Sequence, residues 1–221
     1  MDAAELQRRK DLCAATLDRL GRVTPPSLRP PPRLRFVAKE KGHGRFTPRI
    51  NEVKIGVAGV LDDPAMTDGM IEALVAHEMG HWADPDLDAA MFHSRIVCLP
   101  VLALGFLIPI GLAVRALATG DATNLVVYSV VALMVGIVGA HALSPFFEWR
   151  GEYFADRFAA ESTSAEKVIS LMKHFLAQGS RFSSHSHPSR ARRIRRIERN
   201  AISASEQQTT AKGRGWPLPP Q

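Results

Sequence analysis

The sequence predicts a mainly α-helical protein with a small β-sheet, its domain interrupted by a two-helix transmembrane hairpin. Three observations predict this class. Met70, Ile71, Leu74 and Val75 fall at helical spacing directly ahead of the pentad His77-Glu78-Met79-Gly80-His81. Two runs of 19 residues, 96–114 and 125–143, carry no charge. Each is about long enough to cross the hydrocarbon core of a bilayer as a helix. Between residues 33 and 60, apolar and polar residues alternate in short stretches bounded by turn signals, as in strands.

Taken in order, residues 1–23 form an amphipathic helix with Leu6, Cys13, Leu17 and Leu20 on one side and Gly21 as its stop. Residues 24–32 hold five prolines and read as an extended linker. Residues 33–95 make the first part of the domain. Leu34, Phe36 and Ala38 mark one strand, Lys41-Gly42-His43-Gly44 a turn, and Ile50, Val53, Ile55 and Val57 a second strand. Asp62-Asp63-Pro64 ends that strand, and Thr67 or Asp68 caps the helix of the pentad. Residues 96–144 are the hairpin; Pro100, Gly105, Pro109 and Gly111 are tolerated there because neighbouring helices re-satisfy freed backbone groups. Residues 145–200 make the second part of the domain: a helix from Pro145 to about Ala160, another from Ser164 to Gln178, a Ser/His-rich loop, and a basic helix to Asn200. Residues 201–221 read as a disordered tail.

Charge distribution bears on topology. Of 28 Lys and Arg residues, only Arg115 is available to the loop between the apolar runs. The positive-inside rule then places both termini, and the residues flanking the hairpin, on the cytoplasmic side. The first 20 residues are charged and do not resemble a cleavable secretory signal. Cys13 and Cys98 are lone cysteines in unlike surroundings, in keeping with a reducing compartment. These features predict an integral membrane protein, of the inner membrane if bacterial, with two spans at about 96–114 and 125–143 and a cytoplasmic active site. The lipid bilayer is thus an expected partner. Six arginines between 190 and 199 favour anionic headgroups over nucleic acid beside a bilayer.

The pentad carries the chemistry. Four residues apart on a helix, His77 and His81 face the same way and can grip one zinc ion, with Glu78 beside it to act on a bound water. A catalytic zinc takes a third protein ligand. Glu152 is the best candidate, because Glu152 and Asp156 share one helical face and one can bind metal while the other accepts the spare N–H of a zinc-bound histidine. Glu148, on the same face, competes for the ligand role. An out-and-back hairpin returns this helix to the side of the membrane where the pentad lies. His43 and His93 read as solvent or interface residues, and His141 as an interface residue near the inner end of the second run.

The ordered set of pentad, apolar hairpin, Glu152-Tyr153-Phe154-Ala155-Asp156, His187-Pro188 and Arg193 resembles the HtpX and CAAX-prenyl-protease family of membrane zinc metallopeptidases over residues 45–200. The resemblance implies a zincin-like metalloprotease domain with zinc ligands His77, His81 and Glu152 and with Glu78 as catalytic base. It makes Asp156 the partner of His77 and brings His187 and Arg193 near the substrate carbonyl, with His185 able to exchange roles with His187. It also implies that Asn51 begins a substrate-binding edge strand continuing through Val53 and Ile55. The chain departs from the family in having a polar helix and Pro-rich linker before the zinc motif, where relatives usually carry further membrane helices. The implied activity is zinc-dependent endopeptidase action on protein or peptide substrates, in membrane protein quality control or processing. The contrasting class is a non-catalytic membrane interaction protein with a structural zinc site; Glu78 argues against it, since a structural site has no use for an acid there.

Overall fold

A computed structural model describes residues 1–24, 30–38, 43–120, 125–179 and 187–213; within these, the side chains of 88–95, 97–98, 140–148 and 204–213 lie outside the description. The protein is mostly helical, with α1 (Ala3–Val23), α2 (Asp68–Ala83), α3 (Leu87–Thr119), α4 (Leu125–Ser162), α5 (Ala165–Ala177) and α6 (Arg190–Gly213). One sheet joins β1 (Arg33–Val37), β2 (Gly44–Thr47) and β3 (Glu52–Gly56). The described residues fall into two compact units, one within 1–83, 153–182 and 189–221, the other within 84–152 and 183–188.

The first unit is built around α2. Ten of its residues are buried, from Ile71 to Trp82, and they lie on all sides of the helix. A helix apolar all round belongs in the middle of a core, and α2 is packed by α1, the sheet and α5. Thr67 caps it, its Oγ1 accepting from Met70 N at 3.3 Å, while Asp68 is taken by Arg8 at 2.7 Å. α1 buries Cys13, Thr16, Leu17 and Leu20. Its Arg9 is also buried, donating through Nη1 to Leu61 O at 3.0 Å and Asp63 O at 2.8 Å. Gly21 does not stop α1, as the sequence reading expected. The helix continues to Val23, and a Cβ on Gly21 would stand 3.3 Å from Pro31 Cβ, so the glycine makes room for the linker's end. α5 is capped by Ser164, whose Oγ accepts from Lys167 N at 3.2 Å, and it buries Val168, Leu171, Met172 and Phe175. α6 anchors through Ile194 and Ile197 and runs to Gly213, past the Asn200 at which the basic helix was expected to end.

The sheet order is β1-β3-β2, with β1 parallel and β2 antiparallel to β3. Two findings differ from the sequence reading. β2 lies where a turn was expected to lead directly into the second strand. And β3 is central: Val53 pairs with Leu34 on one side and Phe46 on the other. The expected edge strand through Asn51, Val53 and Ile55 is therefore not an edge. Val53 and Ile55 are fully buried, and Asn51, in the left-handed region at φ 48, donates from Nδ2 to Pro30 O at 2.8 Å. An Asn suits that backbone, and its amide clamps the linker's end rather than facing a groove. Among the described residues, the open edges belong to β1 and β2.

The second unit holds α3 and the first part of α4, which passes without interruption through Pro145. The two helices meet through small residues. A Cβ on Gly136 would stand 2.8 Å from Gly105 Cα, and one on Gly139 would stand 3.1 Å from Val101 Cγ1. Close backbone approach of this kind is how helices associate where no hydrophobic drive separates them from their surroundings. Their outer faces expose Leu104, Phe106, Leu107, Ile110, Val126 and Val135. Among the described residues, Leu99–Thr119 is long and apolar enough to cross a membrane, and Leu125–Gly139 is a shorter apolar helical stretch. Arg150 forms an ion pair with Asp86 beyond these apolar stretches.

Candidate metal centre

The centre starts from α2. One helical turn sets His77 and His81 with ring centroids 4.8 Å apart and planes at 82°. Glu78 is only 5% exposed, although it is an acid. Its Oε1 borders Gly44 of β2, where any Cβ would stand 3.0 Å from it. A buried carboxylate is costly without a partner or a role, and this one stands against bare backbone at the end of a strand.

The last part of α4 lies against the same turn of α2. A Cβ on Gly80 would stand 2.6 Å from Ala155 Cα, closer than such atoms ever come. The glycine inside the pentad therefore permits the acid-bearing helix to approach. Asp156, the next residue, is 2% exposed. Its Oδ1 lies 3.1 Å from His77 Nδ1. It also accepts from Arg193 of α6, Nη2 to Oδ1 at 2.5 Å and Nε to Oδ2 at 2.8 Å. Burial pushes the Asp156 carboxyl upward, but the Arg193 charge and the His77 and Arg193 hydrogen bonds outweigh it and hold the group below the usual carboxylate range.

Glu152 stands one turn before Asp156 on the same unbroken helix and is 4% exposed. His77, His81 and Glu152 each offer one ligand atom, and these atoms lie within 4.8 Å of one another. Two imidazoles and a carboxylate are a donor set for a catalytic transition-metal ion. With Nδ1 of His77 facing Asp156, Nε2 is the nitrogen that would bind a metal, so the residues present fit the group. His187 is exposed, with Nε2 3.2 Å from Glu152 Oε1. His185 lies outside the described residues, as do the side chains of Glu148, His93, Cys98 and His141.

The structure thus brings together His77, His81, Glu152, Glu78, Asp156 and Arg193, and sets Asn51, Val53 and Ile55 to other work. Gly44 and Gly80 were missed in the sequence; the signal for Gly80 was a glycine in mid-helix, which costs stability unless close packing requires it. His43, expected at solvent or an interface, stacks on Phe175 at 4.0 Å, and burial with the Arg190 charge pushes its imidazole below the ordinary value.

Two histidines and a carboxylate close together, with an acid buried beside them, are the donor set that a metal-dependent hydrolase uses. The profile of peptidase family M48 matches residues 48–201 of the 221-residue chain. The chain belongs to that family and is a metallopeptidase. No curated protein and no solved structure matches it.

Proposed function

We propose that this chain is a membrane-embedded zinc endopeptidase in which Glu78 is the general base. The observation that carries the reading is the His77, His81 and Glu152 donor set with buried Glu78 on the same turn of α2. These three residues would hold a zinc ion, whose Lewis acidity would serve to activate water and polarise the scissile carbonyl. Glu78 accepts the proton as water oxygen bonds to the carbonyl carbon, then delivers it to the amine nitrogen as the C–N bond breaks. Asp156 holds the His77 ring in the tautomer that presents Nε2 to the metal. His187 supports the oxyanion as it develops.

An extended peptide pairs with the open edge of β2, since among the described residues β2 pairs on one side only and Gly44 abuts Glu78. Gly44 brings backbone, without a side chain in the way, up to the catalytic acid. The exposed apolar faces of α3 and α4 fit a two-span membrane anchor. The charge distribution favours termini and active site in the cytoplasm, at the inner membrane in a bacterium. Membrane-associated proteins, in quality control or processing, are the substrates this placement favours.

Glu78→Gln tests the reading. The variant should retain metal and lose peptidase turnover by about 10²–10⁴-fold, measured on a model peptide with and without chelator. Wild-type turnover in Glu78→Gln would reject the mechanism. Glu152→Ala should lose metal by elemental analysis; tight retention of one equivalent would move the third ligand elsewhere.

A further inference from the structure

We infer that Arg193 is a positioning residue for the metal centre, acting on His77 through Asp156, rather than a group that meets the substrate carbonyl. The inference rests on the proposed metallopeptidase reading and concerns how that site is held in shape. Asp156 is almost fully enclosed, and its Oδ1 serves two partners at once, His77 Nδ1 at 3.1 Å and Arg193 Nη2 at 2.5 Å. Arg193 Nε occupies the other oxygen at 2.8 Å. A planar guanidinium bound to both oxygens of a planar carboxylate fixes that carboxylate's rotation. With the rotation fixed, Oδ1 has one position, and the His77 ring is aimed from it.

The second contact acts in the same direction. Arg193 Nη2 is 3.4 Å from both ring nitrogens of His77, which sets it across the ring instead of at the in-plane lone pair of either nitrogen. The ring is thus confined by Asp156 at one nitrogen and by Arg193 at its side. Arg193 is itself placed by the start of α6. Its N–H bonds to Ser189 O at 3.1 Å, and the next residue, Ile194, is buried and anchors the turn. Most of the arginines nearby, at 192, 195, 196 and 199, are exposed; Arg193 is 11% exposed at its side chain, turned inward with Nε and Nη2 committed to Asp156.

The test measures metal affinity by competition with a chelator, and separately kcat and KM on a model peptide, for Arg193→Gln, Arg193→Lys, Asp156→Asn and the double variant Arg193→Gln/Asp156→Asn. Arg193→Gln should weaken zinc binding by about 10–100-fold and lower kcat with KM little changed. Arg193→Lys keeps the charge without the fork, so it should fall between wild type and Arg193→Gln and should keep the fold if Arg193→Gln does not. The double variant should lose clearly less than the sum of the two single losses, because Arg193 acts mainly through that carboxylate. Wild-type zinc affinity in Arg193→Gln or, where that variant does not fold, in Arg193→Lys would overturn the inference, as would additive losses in the double variant. Because the first readout is metal affinity, an inactive wild-type protein that shows this pattern would reject the peptidase reading while leaving the role of Arg193 intact.

Discussion

Gly80 is the residue on which the site's geometry turns. In the middle of α2 it costs about 1 kcal/mol relative to alanine, and that cost is offset by what its missing Cβ allows. Ala155 Cα occupies the space at 2.6 Å, and Asp156 follows directly, within reach of His77. Gly80→Ala should gain propensity and still lose overall, by about 1–2 kcal/mol, since overpacking against backbone has no rotamer to relieve it. It should also weaken metal binding, because α4 would be pushed from α2. Thermal unfolding of the metal-free protein with a zinc titration checks both, and a more stable variant with wild-type affinity would show that the helices do not meet there. The histidine pair was legible because its geometry is local: four residues on one helix decide it. The glycine's purpose was not legible, since the atom it avoids lies 75 residues further along the chain. Arg193 stands between these cases, its inward turn set by how α6 docks.

Elements were read with uneven success, for the same physical reason. Helices α1, α2 and α5 carry their own periodicity and caps, so their centres were visible, though the end of α1 was not, because Pro31 decides what Gly21 does. The sheet was half visible. Alternation marked β1 and β3, but strand order depends on pairing between distant segments, and four residues from Gly44 to Thr47 are too few to show a period. That short strand displaced the expected edge from Asn51, Val53 and Ile55 to β2. The apolar helices behave differently, because composition alone reveals them while their contact is made by glycines. Gly136→Leu should place a branched side chain where Gly105 Cα allows none, separating α3 from α4. Cysteine crosslinking between Val101 and Gly139, where a Cβ on the glycine would stand 3.1 Å from Val101 Cγ1, reports the separation: pairs that join in the wild-type background should fail to join in Gly136→Leu. Undiminished crosslinking would show that the helices pack elsewhere.

For the whole molecule, the question is whether the polar N-terminal helix is an appendage or part of the body that holds α2. Its composition leaves this open: α1 has an apolar side but is otherwise charged, and it is followed by a proline-rich stretch. Its packing favours the body. Cys13 and Leu20 are fully enclosed and Leu17 nearly so. Arg9 satisfies two backbone carbonyls in the segment leading to α2, while Pro30 O accepts from Trp82 at the far end of α2 at 3.0 Å. Burying the two leucines alone contributes about 3–6 kcal/mol, a large share of the roughly 5–15 kcal/mol that separates folded from unfolded domains. Deleting residues 1–24 should therefore leave a protein without cooperative unfolding or chelator-sensitive activity. A gentler measurement uses Cys13, whose thiol burial pushes up to about 12. At pH 8 in a Cys98→Ser background it should resist maleimide until denaturant unfolds the domain, because both enclosure and the scarcity of thiolate oppose reaction. Labelling at the rate of a free thiol would mean that α1 lifts away from α2 without unfolding. A truncated chain that retained full activity would agree with that result, and the two together would make α1 a detachable arm.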